Sequence, residues 1–127
     1  MAEKALTTYR PVSSVHNTVI AQWATLVTGD TSEPWAGGDY TDKSVHVFNS
    51  DFTGGGSVSV QGSNDPRVIT DPANADWVIL KNDAGAACTY SADDKFDVIV
   101  APMYFTRILV TGTVAGVNVA MCGRRIK

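Results

Sequence analysis

Apolar and polar side chains alternate through most of this chain, and a period of two places residues on opposite faces of a strand. In TVIAQWATLV, residues 18–27, Val19, Ala21, Trp23 and Val27 share a face, which predicts a strand, with a short helix as the competing reading. SVHVFNS groups Val45 with Val47, and SVSVQG groups Val58 with Val60, so both predict half-buried strands. Residues 77–80 are a continuous apolar run, Phe96, Val98 and Val100 alternate with Asp97, and residues 104–111 are β-branched and aromatic. All three stretches are expected as central strands. The closing VAGVNVAMCGRR alternates Val117, Val119 and Met121 with Asn118 and Ala120 and is expected to complete the sheet.

The breaks between these runs carry turn chemistry. Residues 1–17 are polar and unpatterned around Pro11, which predicts an extended N-terminal arm of the kind that orders on binding. Residues 28–43, rich in Gly, Asp, Ser and Thr around Pro34, predict a long loop that also holds Trp35 and Tyr40. Gly54, Gly55 and Gly56 predict a hairpin-like connection, because glycine supplies positive φ and three together cannot support a helix. Asp65-Pro66 and Asp71-Pro72 disfavour helix before each proline and predict an irregular loop. About eight short strands with turns between them make an all-β chain: an antiparallel β-sandwich of jelly-roll type over residues 18–127, preceded by the arm.

Composition narrows the function classes. The 127 residues are 44% hydrophobic and 18% charged, too apolar for a disordered chain. No apolar run approaches the roughly 20 residues of a spanning helix, and MAEKALTTYR has no stretch of signal-peptide type. No membrane partner is expected, and a reduced, cytosolic origin is. The net charge of -3 is uneven: residues 30–97 hold 12 acids and 4 bases, whereas the rest holds 1 acid and 6 bases. The tail residues Arg124, Arg125 and Lys127 can therefore dock on an acidic surface or remain a solvated basic end. An acidic middle and so short a basic tail argue against nucleic acid as a partner.

Catalytic and metal chemistry finds little to work with. Cys88 and Cys122 lie outside any CxxC pair and read as reduced core filler, with a bridge between them as the alternative. His16 and His46 are the two histidines, and His46 reads as an exposed strand residue. Ser57 and Ser63 lack a GxSxG elbow, and the glycine triplet lacks the lysine and following helix of a phosphate loop. Asp93, Asp94 and Asp97, or Asn64 with Asp65, could hold calcium, but turn bonding explains aspartates in loops as well. No catalytic residue, cofactor or metal is assigned. Trp35 and Tyr40 either pack back on the core or face a partner, whereas Trp23 and Trp77 lie in apolar runs and are expected in the core.

SVSVQGSNDP, the tryptophan strand WVILKND, MYFTRILVTG and VNVAMCGRR together resemble the β-sandwich of discoidin-like domains over roughly residues 57–125. The same stretches resemble small structural proteins of tailed bacteriophages. The chain lacks the terminal cysteines and the Asn-x-Ser/Thr sequon of extracellular discoidin domains, and so is closer to a head decoration, or cement, protein. That resemblance implies a non-enzymatic virion protein on the capsid exterior, binding the major capsid protein and itself as a homodimer or homotrimer. Tyr9, Arg10, Trp35, Tyr40, Arg124 and Arg125 are the candidate partner contacts. The discoidin likeness implies the alternative of a carbohydrate-binding module in which Trp35 and Tyr40 stack on sugar rings.

Overall fold

The computed structural model describes residues 3–10, 18–40, 42–100 and 103–124. Their strands are β1 (Glu3–Lys4), β2 (Leu6–Tyr9), β3 (Thr18–Leu26), β4 (Thr31–Ser32), β5 (Trp35–Ala36), β6 (Asp42–Asp51), β7 (Ser57–Ser63), β8 (Val78–Ile79), β9 (Thr89–Tyr90), β10 (Lys95–Ile99), β11 (Phe105–Thr111) and β12 (Gly116–Arg124). One helical turn, α1 (Arg67–Thr70), follows Asp65-Pro66. The first sheet has the order β10-β6-β12-β3-β2; the second has β5-β11-β7-β8, with β9 also on β7. Every pairing within these two sheets is antiparallel, and β1 pairs β4 in parallel. The expected all-β sandwich is the architecture observed.

The core is made by the alternation that predicted it. Val19, Ala21, Trp23, Val45, Val47, Val117, Val119 and Met121 of the first sheet meet Val58, Val60 and Ile108 of the second. Trp23 is fully buried, and its indole N–H donates to the Glu33 carbonyl at 2.8 Å, so its one polar atom is satisfied inside. The β3 face does not run on to Val27. Thr25 takes φ 55°, the β3–β12 register shifts between Val117 and Val119, and Leu26 is buried in its place. A bulge of this kind reverses the side-chain alternation beyond it.

Several expectations change. Within the segment read as an arm, residues 3–9 already form β1 and β2, and β2 pairs β3 from Leu6↔Trp23 to Tyr9↔Ile20. Residues 11–17 lie outside the described residues. The glycine triplet is no hairpin, since β6 and β7 belong to different sheets and the chain crosses the sandwich there. The β11–β12 connection crosses at the same end, and Gly56 N–H donates to Thr113 O at 2.8 Å. A Cβ on Gly56 would lie 2.6 Å from that oxygen, so contact between the crossings requires glycine.

β11 is interior, as expected, but β8 and β10 are edge strands. Trp77 is only part-buried and stacks on Arg107 outside the second sheet, so it is not a core residue. Cys88 and Cys122 are both free thiols, so the bridged alternative is not adopted.

Candidate functional site

The cross-strand register fixes which side chains leave the first sheet on its open side. One row runs Val98, Ser44, Cys122, Ile20 and Tyr9; the next runs Phe96, His46, Ala120, Gln22 and Thr7. Phe96 is 63% exposed, Tyr9 50% and Val98 37%. His46 lies 5.5 Å from the Phe48 ring and 6.3 Å from the Phe96 ring, so an aromatic group occupies the β6–β10 side of the face. A cleft of about 290 Å³ opens at the Arg124 end of the face, lined by Asp42, Lys43 and Arg124 as well as by Thr18, Ser44, Val98 and Cys122.

Charge is nearly absent from these rows. At their end Arg124 Nη2 donates to Asp42 Oδ2 at 2.7 Å across β12 and β6, so the pair cancels. The two rows of the open side are therefore without Asp, Glu, Lys or Arg, in a molecule that carries 23 such residues.

The outward turn of Phe96 and Val98 has a local cause. Asp97, between them, faces the interior, where Tyr90 Oη donates to its Oδ2 at 2.7 Å and Asn82 Nδ2 to its Oδ1 at 3.1 Å. Burial, reinforced by bonding to Cys88 and Asp97, drives the Tyr90 pKa far above its ordinary value of 10.0. Burial likewise raises the Cys88 thiol. With the polar residue held inside, a period-two strand must present its apolar residues outside. The backbone edge of β10 is partly closed, because Asn82 bridges Ile99 and Asp83 N–H donates to Val98 O at 3.1 Å. What β10 offers is its face, more than its edge.

The structure separates the candidate contacts. Tyr9 lies on the open face, and Arg10 is exposed, its Nη1 donating to Tyr40 Oη at 3.3 Å. Arg124 is exposed in its ion pair, and Arg125 lies outside the described residues. Trp35 and Tyr40 must be withdrawn as partner contacts. They are 5% and 7% exposed, their rings stack at 5.8 Å, and both pack against the backbone of Gly123. Beside them Lys43, 3% exposed on the inward side of β6, donates from Nζ to Tyr40 O, and burial lowers its pKa. Phe96, Val98 and Phe48, which lie on this open face, were not among the candidate contacts; the alternation in residues 96–100 shows that Phe96 and Val98 share a face without saying which.

The acidic candidates are taken up by hydrogen bonds within the fold. Asp65 Oδ1 accepts from Arg67 N–H at 2.9 Å and its Oδ2 from Asp76 N–H at 2.9 Å; the Arg67 guanidinium, at 2.7 Å, holds its carboxyl far below the usual range. Asp93 Oδ1 accepts from Ser50 N–H at 3.1 Å. Among the described residues no three His, Cys, Asp or Glu side chains form a group that could hold a metal ion.

No protein-family model matches the chain, and no curated protein matches it. Among solved structures, IMPa from Pseudomonas aeruginosa in complex with an O-glycopeptide aligns at 16% identity and TM-score 0.40, over 91% of this chain and 13% of that one. The SPBc2 prophage-derived protein YomS aligns at 12% identity and TM-score 0.57, over 90% of this chain and 98% of that one. This chain therefore shares the fold of YomS across nearly the full length of both.

Proposed function

We propose that this chain is a non-enzymatic bacteriophage structural protein that self-associates through the open face of its first sheet and stabilises the capsid from outside. The observation that carries the reading is the uncharged face formed by Phe96, Val98, His46, Cys122, Ile20 and Tyr9. Two copies can stack such faces without opposing like charges, because the Asp42–Arg124 pair is internally neutral. The fold likeness to a prophage-derived protein supports the phage setting. Arg10 and the basic residues that follow β12 in sequence, Arg125 and Lys127, are the groups proposed to engage the major capsid protein. The sugar-stacking reading loses its basis, since Trp35 and Tyr40 are inside.

The test is light scattering on the purified chain, followed by co-sedimentation with phage heads assembled without it. A dimer or trimer that pellets at fixed stoichiometry is expected. A monomer that stays in the supernatant overturns the proposal.

A further inference from the structure

On the opposite sheet, Arg107 of β11 stands on the solvent side across from Gln61 of β7. Its Nε donates to Gln61 Oε1 at 2.8 Å, and its guanidinium carbon lies 4.2 Å from the centroid of the Trp77 ring. These contacts fix the plane of the fork and use one of its three nitrogens. Among the described residues, Nη1 and Nη2 make no hydrogen bond and no ion pair. Other arginines of the chain are treated differently: Arg67 pairs Asp65 at 2.7 Å and Asp76 at 3.4 Å, and Arg124 pairs Asp42 at 2.7 Å. Part-burial of Arg107 also lowers its pKa, so the cation is held at an electrostatic cost that an anion would offset.

Arg107 lines a cleft of about 210 Å³ whose walls include Glu3, Thr31, Pro34 and Pro72. A second, of about 70 Å³, shares Arg107 and Thr31 and includes Asp30, which Lys4 approaches at 3.7 Å. We propose that Arg107, held by Trp77 and Gln61, is a binding site for one carboxylate side chain, aspartate or glutamate, of a partner protein. The free fork matches a carboxylate bidentately. The nearby acids Glu3 and Asp30 disfavour a doubly charged phosphate over a single negative charge. The cleft is below the roughly 300–1,000 Å³ of pockets that enclose larger ligands, and Pro34 and Pro72 give rigid apolar walls for an acidic side chain's stem. This site is independent of the open face of the first sheet, so either can fail alone.

The test is a titration of the full chain followed by nuclear magnetic resonance at Arg107 Nε–H and Trp77 Nε1–H. The probes are the blocked tripeptide Gly-Glu-Gly, its Gly-Gln-Gly counterpart, glucuronate and inorganic phosphate. Saturable shifts at both N–H groups with the glutamate peptide, absent with the glutamine peptide, are expected, with binding weakened about tenfold or more in Arg107→Lys, which keeps the charge and loses the fork. No saturable shift, an equal response to both peptides, or binding of glucuronate or phosphate without the glutamate peptide overturns the proposal. Should Arg107→Lys not fold, the comparison of the two peptides on the wild-type chain decides.

Discussion

At the scale of single residues, Tyr90 shows how one hydroxyl sets both local geometry and pH response. It donates to Asp97 Oδ2 at 2.7 Å from a buried position, and its folded-state pKa lies far above 10.0. A raised pKa means the folded state keeps its proton after the unfolded state has lost it. The stabilisation is complete below the ordinary tyrosine value and is lost as pH rises through and beyond it. Tyr90→Phe is expected to cost about 1–2 kcal/mol at neutral pH and to flatten the loss of stability above pH 10, which urea denaturation at a series of pH values measures. The identities of the core valines were legible in the sequence because burial follows alternation. The placement of Trp35 and Tyr40 was not, because polar neighbours mark a loop without saying which way its aromatics turn. Their destination is set by Gly123, distant in sequence, whose missing side chain leaves room for both.

At the scale of elements, the same glycine gives a sharp expectation. A Cβ at position 123 would meet Trp35 Cη2 and Tyr40 Cβ, each at 2.8 Å, on the inward side of a central strand. Gly123→Ala is therefore expected to destabilise by about 1–3 kcal/mol, with a fall in thermal midpoint and altered tryptophan fluorescence. Ser32 makes a different joint. Its Oγ accepts from Ile108 N–H at 2.7 Å and donates to Ile108 O at 2.9 Å, so a side chain continues the β11 edge that β5 starts at Phe105 and Thr106. Ser32→Ala leaves the Ile108 groups without these partners and is expected to cost about 2–3 kcal/mol, with faster hydrogen exchange at the Ile108 amide. The long strands were readable from periodicity, but their neighbours were not. Alternation in Phe96, Val98 and Val100 fits an inward or an outward strand equally, and it is Tyr90 and Asn82, binding Asp97, that choose outward. Pairing such as β6 with β12 joins residues far apart in sequence, which local pattern does not encode.

At the scale of the whole molecule, the two thiols give an internal comparison. Cys122 sits half-buried in the central strand of the open face, whereas Cys88 is fully buried in the core. Self-association through that face covers Cys122 and leaves Cys88 unchanged, so maleimide labelling of Cys122 is expected to slow as protein concentration rises. Phe96→Lys places a charge on each of two stacked faces at a site already 63% exposed. It is expected to shift the chain to monomer and remove the protection of Cys122, with folding stability changed by less than about 0.5 kcal/mol. Salt separates this contact from docking by the termini. An uncharged interface gains nothing from Coulomb attraction, so the oligomer is expected to persist at about 0.5 M salt, where the Debye length falls below about 5 Å. Capsid attachment through Arg10 and the basic residues after β12 is expected to weaken under the same conditions. Loss of the oligomer in salt while Cys122 labels at one rate at every concentration would place self-association on charged groups, away from this face.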